Sequence, residues 1–176
     1  MNRIVGTITH LGQHLIAIVN EREAYRPSRC PHCGRTGLWC HGHYDRKADR
    51  SAGGELNPVP VPRYFCGGCE HTCSRLPACL APRRWYDWFM QQAVLVLLLS
   101  GASMHECTRQ TGRSRSTVRR WWRWLQDRHR VFSSVLRGRE PELGRHDGLT
   151  AFWRQVIDRA SLMGAMTCLD QELSVP

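Results

Sequence analysis

The chain has 176 residues, and its 25 Lys and Arg outweigh its 15 Asp and Glu, which gives a formal charge of +10. With 41% hydrophobic and 23% charged residues, the composition is globular and excludes a disordered chain. The longest apolar run, Ala93–Leu99, is far shorter than the ~18–20 residues that span a bilayer. We therefore expect no membrane span, no signal peptide, and one domain or two small ones.

Arginine supplies almost all of the positive charge, since Lys47 is the single lysine. A guanidinium presents a planar fork of donors that suits phosphate and guanine, whereas an ammonium is a point charge. Such a large excess of basic over acidic residues predicts a polyanionic partner. Nucleic acid is the first candidate, and an anionic membrane is the second.

Residues 1–27 are predicted to form an N-terminal arm. Ile4, Val5 and Ile8, and then Leu15–Val19, are apolar enough for a short helix or strand that docks on the rest of the protein.

Residues 28–80 hold seven of the nine cysteines and show no helical periodicity. Two C-x-x-C pairs within them have the spacing of a zinc ribbon, in which two tight turns at the tips of two hairpins supply four thiolates at about 2.3 Å from one Zn²⁺. Gly34 permits the left-handed backbone that follows such a turn. We predict one structural Zn²⁺ bound by Cys30, Cys33, Cys66 and Cys69.

Other interpretations of these cysteines are weaker. A thioredoxin-like pair lacks its βαβ context, and a catalytic zinc would keep one position open. Without an export signal, an odd cysteine count with paired spacing favours metal binding in a reducing cytoplasm. The candidates for alternative ligands, each more simply explained as a bystander, are Cys40, His41, His43, His71, Cys73 and Cys79.

Val59–Phe65 is predicted to be a short strand of the ribbon. Pro60 and Pro62 lack the N–H that a central strand donates, so the prolines favour an edge position or an extended approach.

Residues 81–140 are predicted to be helical. The expected helices are Trp85–Ser100, closed by Gly101, then Met104–Gln110, and a third that starts at Ser114 or Ser116 and runs to about Arg130. Residues 141–176 are expected to hold a last amphipathic helix, about Leu149–Leu162, and a tail. The predicted fold class is mainly α with a small β zinc ribbon at the N-terminal side.

The third helix has an apolar stripe of Val118, Trp121, Trp122 and Leu125 at helical spacing, which predicts core packing for its tryptophans. Trp124 lies off this stripe and is the best candidate for stacking on a base. Between residues 109 and 139 there are ten arginines and a single acid, Asp127, which concentrates nearly all of the net charge there.

Ser103–Arg123 fits a helix-turn-helix frame with Gly112 at the turn, although Thr111 and Arg113 stand where apolar residues are common. Arginine at the start of a recognition helix can bind guanine bidentately, and hydroxyls there can bind phosphate. The predicted contacts to double-stranded DNA are Arg113, Ser114, Arg115, Ser116, Thr117, Arg119, Arg120, Arg123, Arg128 and Arg130, of which Arg113, Arg128 and Arg130 would mainly hold the backbone.

Several motifs together resemble the N-terminal part of bacterial insertion-sequence transposases and related mobile-element proteins. They are Cys-Pro-His-Cys-Gly at 30–34, residues 41–46, residues 61–69, Leu76-Pro77 and the helix-turn-helix frame. The resemblance covers about residues 25–130, and Cys73 departs from it where an aromatic residue is common. It implies that a zinc ribbon and a helix-turn-helix recognise an element's terminal repeats, with a transposase or another mobile-element protein as a partner.

The resemblance does not carry over catalysis, because the transposase triad lies on an RNase H-like domain of well over 100 residues. Residues 141–176, with Glu142, Asp147, Asp158, Asp170 and Glu172, are too few for it. We therefore expect a non-enzymatic DNA-binding accessory, regulator or truncated transposase, with a homodimer left open. The alternative is a zinc-ribbon module that binds protein or RNA. A nuclease or cysteine-nucleophile enzyme lacks a convincing grouping of residues.

Overall fold

The computed structural model describes residues 3–48, 57–82, 86–173 and 175. They fall into two compact units, an N-terminal unit within Met1–Asp87 and Asp170–Pro176, and a helical unit over Trp88–Leu169. A mainly helical chain with a small sheet is confirmed. The predicted boundaries after residues 27, 80 and 140 do not coincide with those of the units.

The described residues of the N-terminal unit form two small sheets, one α-helix and a 3-10 turn. Strands β1 and β5 pair in parallel, and the other three form an antiparallel sheet in the order β2-β3-β4. Residues 3–27 are therefore part of this unit, because β1 pairs within it. The elements are β1 (Ile4–Val5), α1 (Leu11–Asn20), a 3-10 turn (Arg22–Tyr25), β2 (Trp39–Arg46), β3 (Val59–Phe65), β4 (Thr72–Cys73) and β5 (Leu76–Pro77).

Strand β3 has the predicted bounds and lies between β2 and β4. Strand β4 pairs only with Tyr64 and Phe65, so within the described residues the segment that contains the prolines has β2 as its one strand partner, as the prolines predict. At Pro60 the carbonyl accepts a hydrogen bond from His14 of α1, so this side of the strand needs no ladder N–H.

A buried histidine joins α1 to the sheet. His14 is fully buried, its Nε2 lies 3.0 Å from the Pro60 carbonyl oxygen, and its Nδ1 lies 2.6 Å from the Tyr25 hydroxyl. A neutral imidazole satisfies both, with Nε2–H donating to Pro60 and Nδ1 accepting from Tyr25. Burial lowers the pKa of His14, which favours this neutral form.

Asp170 closes the N-terminal unit from the far end of the chain. Its carboxylate is buried and accepts the backbone N–H groups of Arg3 and Ile4, the latter at 2.8 Å. Burial raises the pKa of Asp170, whereas these two donors lower it.

The helical unit has four helices. They are α2 (Trp88–Leu99), α3 (Met104–Thr111), α4 (Arg115–Arg139) and α5 (Leu149–Leu169), with a 3-10 turn at Pro141–Arg145. The predicted Met104–Gln110 helix is confirmed to within one residue. Residues 83–85, where the preceding helix was predicted to begin, lie outside the described part of the chain.

Helix α4 continues nine residues beyond its predicted end. Phe132, Ser133 and Leu136 are buried and extend the stripe that begins at Val118. Around them, the rings of Phe132 and Phe152 stand edge-on to Trp153, with centroids 6.3 and 5.6 Å from it. This buried contact outweighs the low helix propensity of the Arg-Gly-Arg segment at 137–139.

Helix α5 is broken at Ser161, whose φ of 59° and ψ of 168° are not helical. The side chain of Gln92 accepts the N–H of Leu162 at 2.6 Å, and the Ser161 hydroxyl accepts that of Gly164 at 3.2 Å. These two hydrogen bonds satisfy backbone N–H groups at the start of the helical segment that follows the break, as an N-cap does. Among the described residues, none of the helices has the length and apolar character that crossing a membrane requires.

Candidate metal centre and basic helix

Four cysteine sulfurs of the N-terminal unit converge, all within 4.8 Å of one another. Sγ of Cys30 lies 3.6 Å from that of Cys69, and Sγ of Cys33 lies 3.6 Å from that of Cys66. Sulfurs at about 2.3 Å from a tetrahedral ion stand about 3.8 Å apart, which these distances match. A disulfide would need about 2.05 Å, so the four are free thiols positioned to bind a metal ion.

The first metal-binding turn has the backbone that its sequence predicts. The N–H of Cys30 donates to the Arg35 carbonyl at 2.7 Å, and that of Gly34 donates to the Cys30 carbonyl at 2.9 Å. Gly34 has φ 75°, in the left-handed region. The N–H of His32 points at the sulfur of Cys30, 3.4 Å away, which stabilises negative charge on that sulfur.

The second turn repeats this arrangement without the glycine. The N–H of Cys66 donates to the His71 carbonyl at 3.0 Å, and that of Glu70 donates to the Cys66 carbonyl at 2.8 Å. Glu70 adopts the left-handed backbone conformation, with φ 57°. Glutamate is uncommon at positive φ, so the sequence does not indicate this conformation. This turn connects β3 to β4 as a hairpin, whereas the first turn lies in irregular chain before β2, so only one of the two predicted hairpin tips is present.

Backbone donors also prepare the sulfur of Cys66 for a metal. The N–H groups of Gly68 and Cys69 hydrogen-bond to it and lower its pKa to about 6. A lowered pKa favours the thiolate, which is the form that binds metal.

The alternative ligands stay outside the cluster. Cys40, His41 and His43 are exposed on β2, and Cys79 is half-buried elsewhere in the unit. Cys73 packs against the core beside the cluster, and burial raises its pKa to about 11. Within the described ranges, no second group of three or more ligating side chains converges in this way. Cys107, on α3, is fully buried.

A tight turn between two capped helices carries the basic segment of the helical unit. The Ser103 hydroxyl accepts the N–H of Glu106 at 3.1 Å and begins α3, which ends at Gly112 with φ 66°. Two residues later, the Ser114 hydroxyl accepts the N–H of Thr117 at 3.3 Å and begins α4. Two serines were predicted as possible N-caps of this helix, and Ser114 is the one that caps it.

Helix α4 buries three of the four residues of its predicted apolar stripe. Val118, Trp121 and Leu125 are buried, whereas Trp122 is half-buried. Trp124 is also half-buried, with its ring edge-on to that of Phe132 at 5.9 Å. The side chains of α4 enclose a shallow depression of about 520 Å³, floored in part by Trp124. Of the predicted contacts, Thr117 and Arg113 are half-buried, and the exposed ones are Ser114, Arg115, Ser116, Arg119, Arg120, Arg123, Arg128 and Arg130.

Six exposed arginines of α4 differ from other arginines of the chain in that they form no ion pair with an acidic residue of the described part of the chain. Arg109 pairs with Glu106 at 2.5 Å and Arg145 pairs with Glu142 at 2.9 Å. Arg113 donates from Nε to the Thr111 carbonyl at 3.0 Å. No ion pair to a carboxylate of the described residues is formed by Arg115, Arg119, Arg120, Arg123, Arg128 or Arg130.

Residues 30–121 match the protein family described as "Domain of unknown function (DUF6431)". The match covers just over half of the chain, which therefore belongs to this family. It includes both metal-binding turns, all of α2 and α3 and the start of α4. No curated protein and no solved structure matches the chain.

Proposed function

We propose that this chain is a sequence-specific DNA-binding protein, built from a zinc ribbon and a helix-turn-helix. In this proposal Cys30, Cys33, Cys66 and Cys69 hold one structural Zn²⁺, and α3 and α4 form the helix-turn-helix. Double-stranded DNA is the partner, and the chain itself performs no catalytic step.

The donor set favours zinc in a structural role. Four cysteines fill a tetrahedral site and leave no position for a substrate or water, as in structural zinc centres. When bound, the ion supplies a cross-link between two turns that are far apart in sequence. All nine cysteines are free thiols, which suits the reducing cytoplasm that we propose as the compartment.

The observation that carries the proposal is the set of six exposed arginines of α4 that form no ion pair with a carboxylate of the described residues. Their charge is therefore available to an external anion. Arg115, Arg119, Arg120 and Arg123 lie in the first three turns of the helix, where a recognition helix meets the major groove. The free N–H groups at this helix start, with Ser116 and Thr117, suit a phosphate.

The biological setting follows from the resemblance to insertion-sequence transposases. We propose that the DNA is a terminal repeat of a mobile element, and that a transposase or another element-encoded protein acts with this chain. An accessory, a regulator and a truncated transposase share this binding step.

The direct test is the selection of bound sequences from a random duplex pool by the zinc-loaded chain. We expect one enriched motif, with an affinity that falls steeply as salt rises. If no sequence is enriched from the pool, or if the chain binds duplex DNA no more tightly than it binds a surface coated with an uncharged peptide, the proposal is wrong.

A second candidate function, a protein- or RNA-interaction module, is favoured by a different surface. Trp39 is 72% exposed on β2, although tryptophan is usually well buried. It pairs across the sheet with Phe65, and the ring of His41 lies 5.7 Å from that of Phe65. Exposed aromatic rings on a sheet stack on unpaired bases or on an apolar partner.

The two functions separate in a gel-shift comparison of duplex DNA, single strands and structured RNA. Tighter binding of structured RNA, lost in Trp39→Ala and retained in Arg119→Ala, favours the second function. The opposite pattern, with duplex DNA preferred and Arg119 required, favours the first.

A further inference from the structure

The N-terminal unit contains a cavity of about 480 Å³ that adjoins the first metal-binding turn. The volume lies within the roughly 300–1,000 Å³ of small-molecule sites. Cys30, Pro31 and Gly34 of that turn form one wall. Besides Cys30, the polar side chains of the cavity are three guanidiniums, two hydroxyls and a thiol, contributed by Arg3, Arg29, Arg75, Ser28, Ser74 and Cys73.

From this lining we infer that the cavity binds a phosphate group, at a site separate from the arginine face of α4. None of the described residues that line it is acidic. Guanidinium forks and hydroxyls donate hydrogen bonds in the geometry that phosphate oxygens accept.

Two of the arginines have donors that the protein itself does not use. The Nε of Arg3 is shielded from solvent and has no hydrogen-bond partner among the described residues. Arg29 is exposed and makes one long hydrogen bond, 3.4 Å, to the Gly34 carbonyl. A ligand that accepts hydrogen bonds would satisfy both groups.

The third arginine is held in position by the fold. Arg75 is half-buried and donates to the carbonyls of Ala24 and Ile4, at 3.3 and 3.2 Å. These hydrogen bonds fix the guanidinium at the cavity wall before any ligand arrives, which reduces the entropy lost on binding.

Two sources of negative charge lie near the cavity. The Asp170 carboxylate interacts with Arg3 and Arg75, but it already accepts two backbone N–H groups. Four thiolates around a divalent ion would carry a net negative charge on the Cys30 side. The ligand phosphate is therefore placed against Arg29, Ser28 and Ser74, where the Arg29 charge offsets that of the metal cluster.

The cavity is larger than a phosphate ion, so the phosphate is carried on an organic group. A free mononucleotide and the terminal phosphate of a nucleic acid strand share this chemistry. The experiment distinguishes them by titrating the zinc-loaded full chain calorimetrically with inorganic phosphate, deoxyadenosine monophosphate, and a single strand with a 5′-phosphate or a 5′-hydroxyl.

We expect saturable binding of at least one phosphate-bearing probe, and roughly tenfold weaker binding in Arg29→Ala, because hydrogen bonds to a charged group are lost. Arg35→Ala is the matched control, since Arg35 is exposed near the same turn and does not line the cavity. Zinc content and far-UV circular dichroism verify that each variant is folded. Binding of the mononucleotide identifies a free ligand, and a gain from the 5′-phosphate alone identifies a strand end.

The inference is overturned if no probe saturates, or if Arg29→Ala binds every probe as the wild type does. Duplex affinity is measured in the same variants. If Arg119→Ala loses duplex binding but still binds the phosphate-bearing probe, the change concerns the proposed DNA contact and not the cavity. The two proposals can therefore fail independently of each other.

Discussion

The sulfurs of Cys30 and Cys69 lie 3.6 Å apart although 39 positions separate the two residues along the chain. The segment between them contains β2 and β3, so the cysteine cluster joins the chain before β2 to the chain after β3, at the end of the sheet where Trp39 pairs with Phe65. The core of the N-terminal unit is divided between two small clusters of buried residues, and a metal cross-link at the cysteines would add to its stability.

Metal analysis of the purified chain is expected to give one zinc per chain. Cys30→Ser should lose the zinc and unfold residues 28–80, because structural zinc binding is coupled to folding. Cys40→Ser, at an exposed cysteine outside the cluster, should keep both the metal and the fold. Zinc is measured by plasma mass spectrometry and folding by thermal melting, and a Cys30→Ser protein that retains one zinc would contradict this assignment.

Removal of one arginine from the exposed face of α4 should weaken duplex binding without unfolding the protein. We expect Arg119→Ala or Arg120→Ala to cost about 1–3 kcal/mol if a base contact is lost, or to reduce the salt slope by about one if a phosphate contact is lost. Arg145→Ala is the control, since Arg145 is exposed but paired with Glu142. Fluorescence anisotropy at several salt concentrations measures both quantities, and equal affinities of Arg119→Ala and Arg145→Ala would exclude the assigned face.

Stability should depend on the protonation of His14. Burial lowers its pKa in the folded protein, so the unfolded chain, in which histidine titrates near about 6.5, binds the proton more readily. The contribution of neutral His14 is complete above that pH and is lost as the pH falls below it.

Urea unfolding of His14→Gln provides the comparison, because glutamine does not titrate. Between pH 7.5 and pH 5.5 the wild type should lose more stability than His14→Gln, at equal zinc content. His14→Ala should cost about 2 kcal/mol at pH 7.5, since it leaves the Tyr25 hydroxyl and the Pro60 carbonyl without their partner. Parallel pH profiles for wild type and His14→Gln would rule out this role.

The break in α5 predicts opposite effects for two small substitutions. Ser161 occupies a backbone region that is essentially reserved for glycine and costs about 1–3 kcal/mol for other residues. Ser161→Gly should raise the melting temperature, because glycine relieves this cost and loses only a few tenths of a kcal/mol as a cap. Ser161→Ala keeps the unfavourable backbone and loses the hydroxyl that accepts the N–H of Gly164, so this substitution should lower the melting temperature. Calorimetry of both variants decides the point, and a shift in the same direction for the two would refute it.

The sequence predicted well those features whose chemistry is local. A C-x-x-C turn places its two sulfurs by backbone geometry alone, and the spacing of Cys30, Cys33, Cys66 and Cys69 was enough to select the converging set. Gly112 and Ser114 likewise mark the end of one helix and the start of the next with residues that suit those backbone positions.

Features that depend on distant partners were not predictable from the sequence. Pairing of β1 with β5 and the contact of Asp170 with Ile4 join segments with no shared local signal. The extension of α4 to Arg139 depends on the burial of Phe132 and Leu136 against other helices, which outweighs Gly138. Glu70 adopts a left-handed backbone because the hairpin requires it there, and its residue type gives no warning.

The N-terminal unit is interrupted in sequence, since Asp170 belongs to it while Trp88–Leu169 forms the helical unit. During synthesis, the backbone N–H groups of Arg3 and Ile4 therefore wait for their acceptor until the whole helical unit has been translated. A released chain that stops at Leu169 would contain every residue of the helical unit but would lack Asp170, the residue that accepts these two N–H groups.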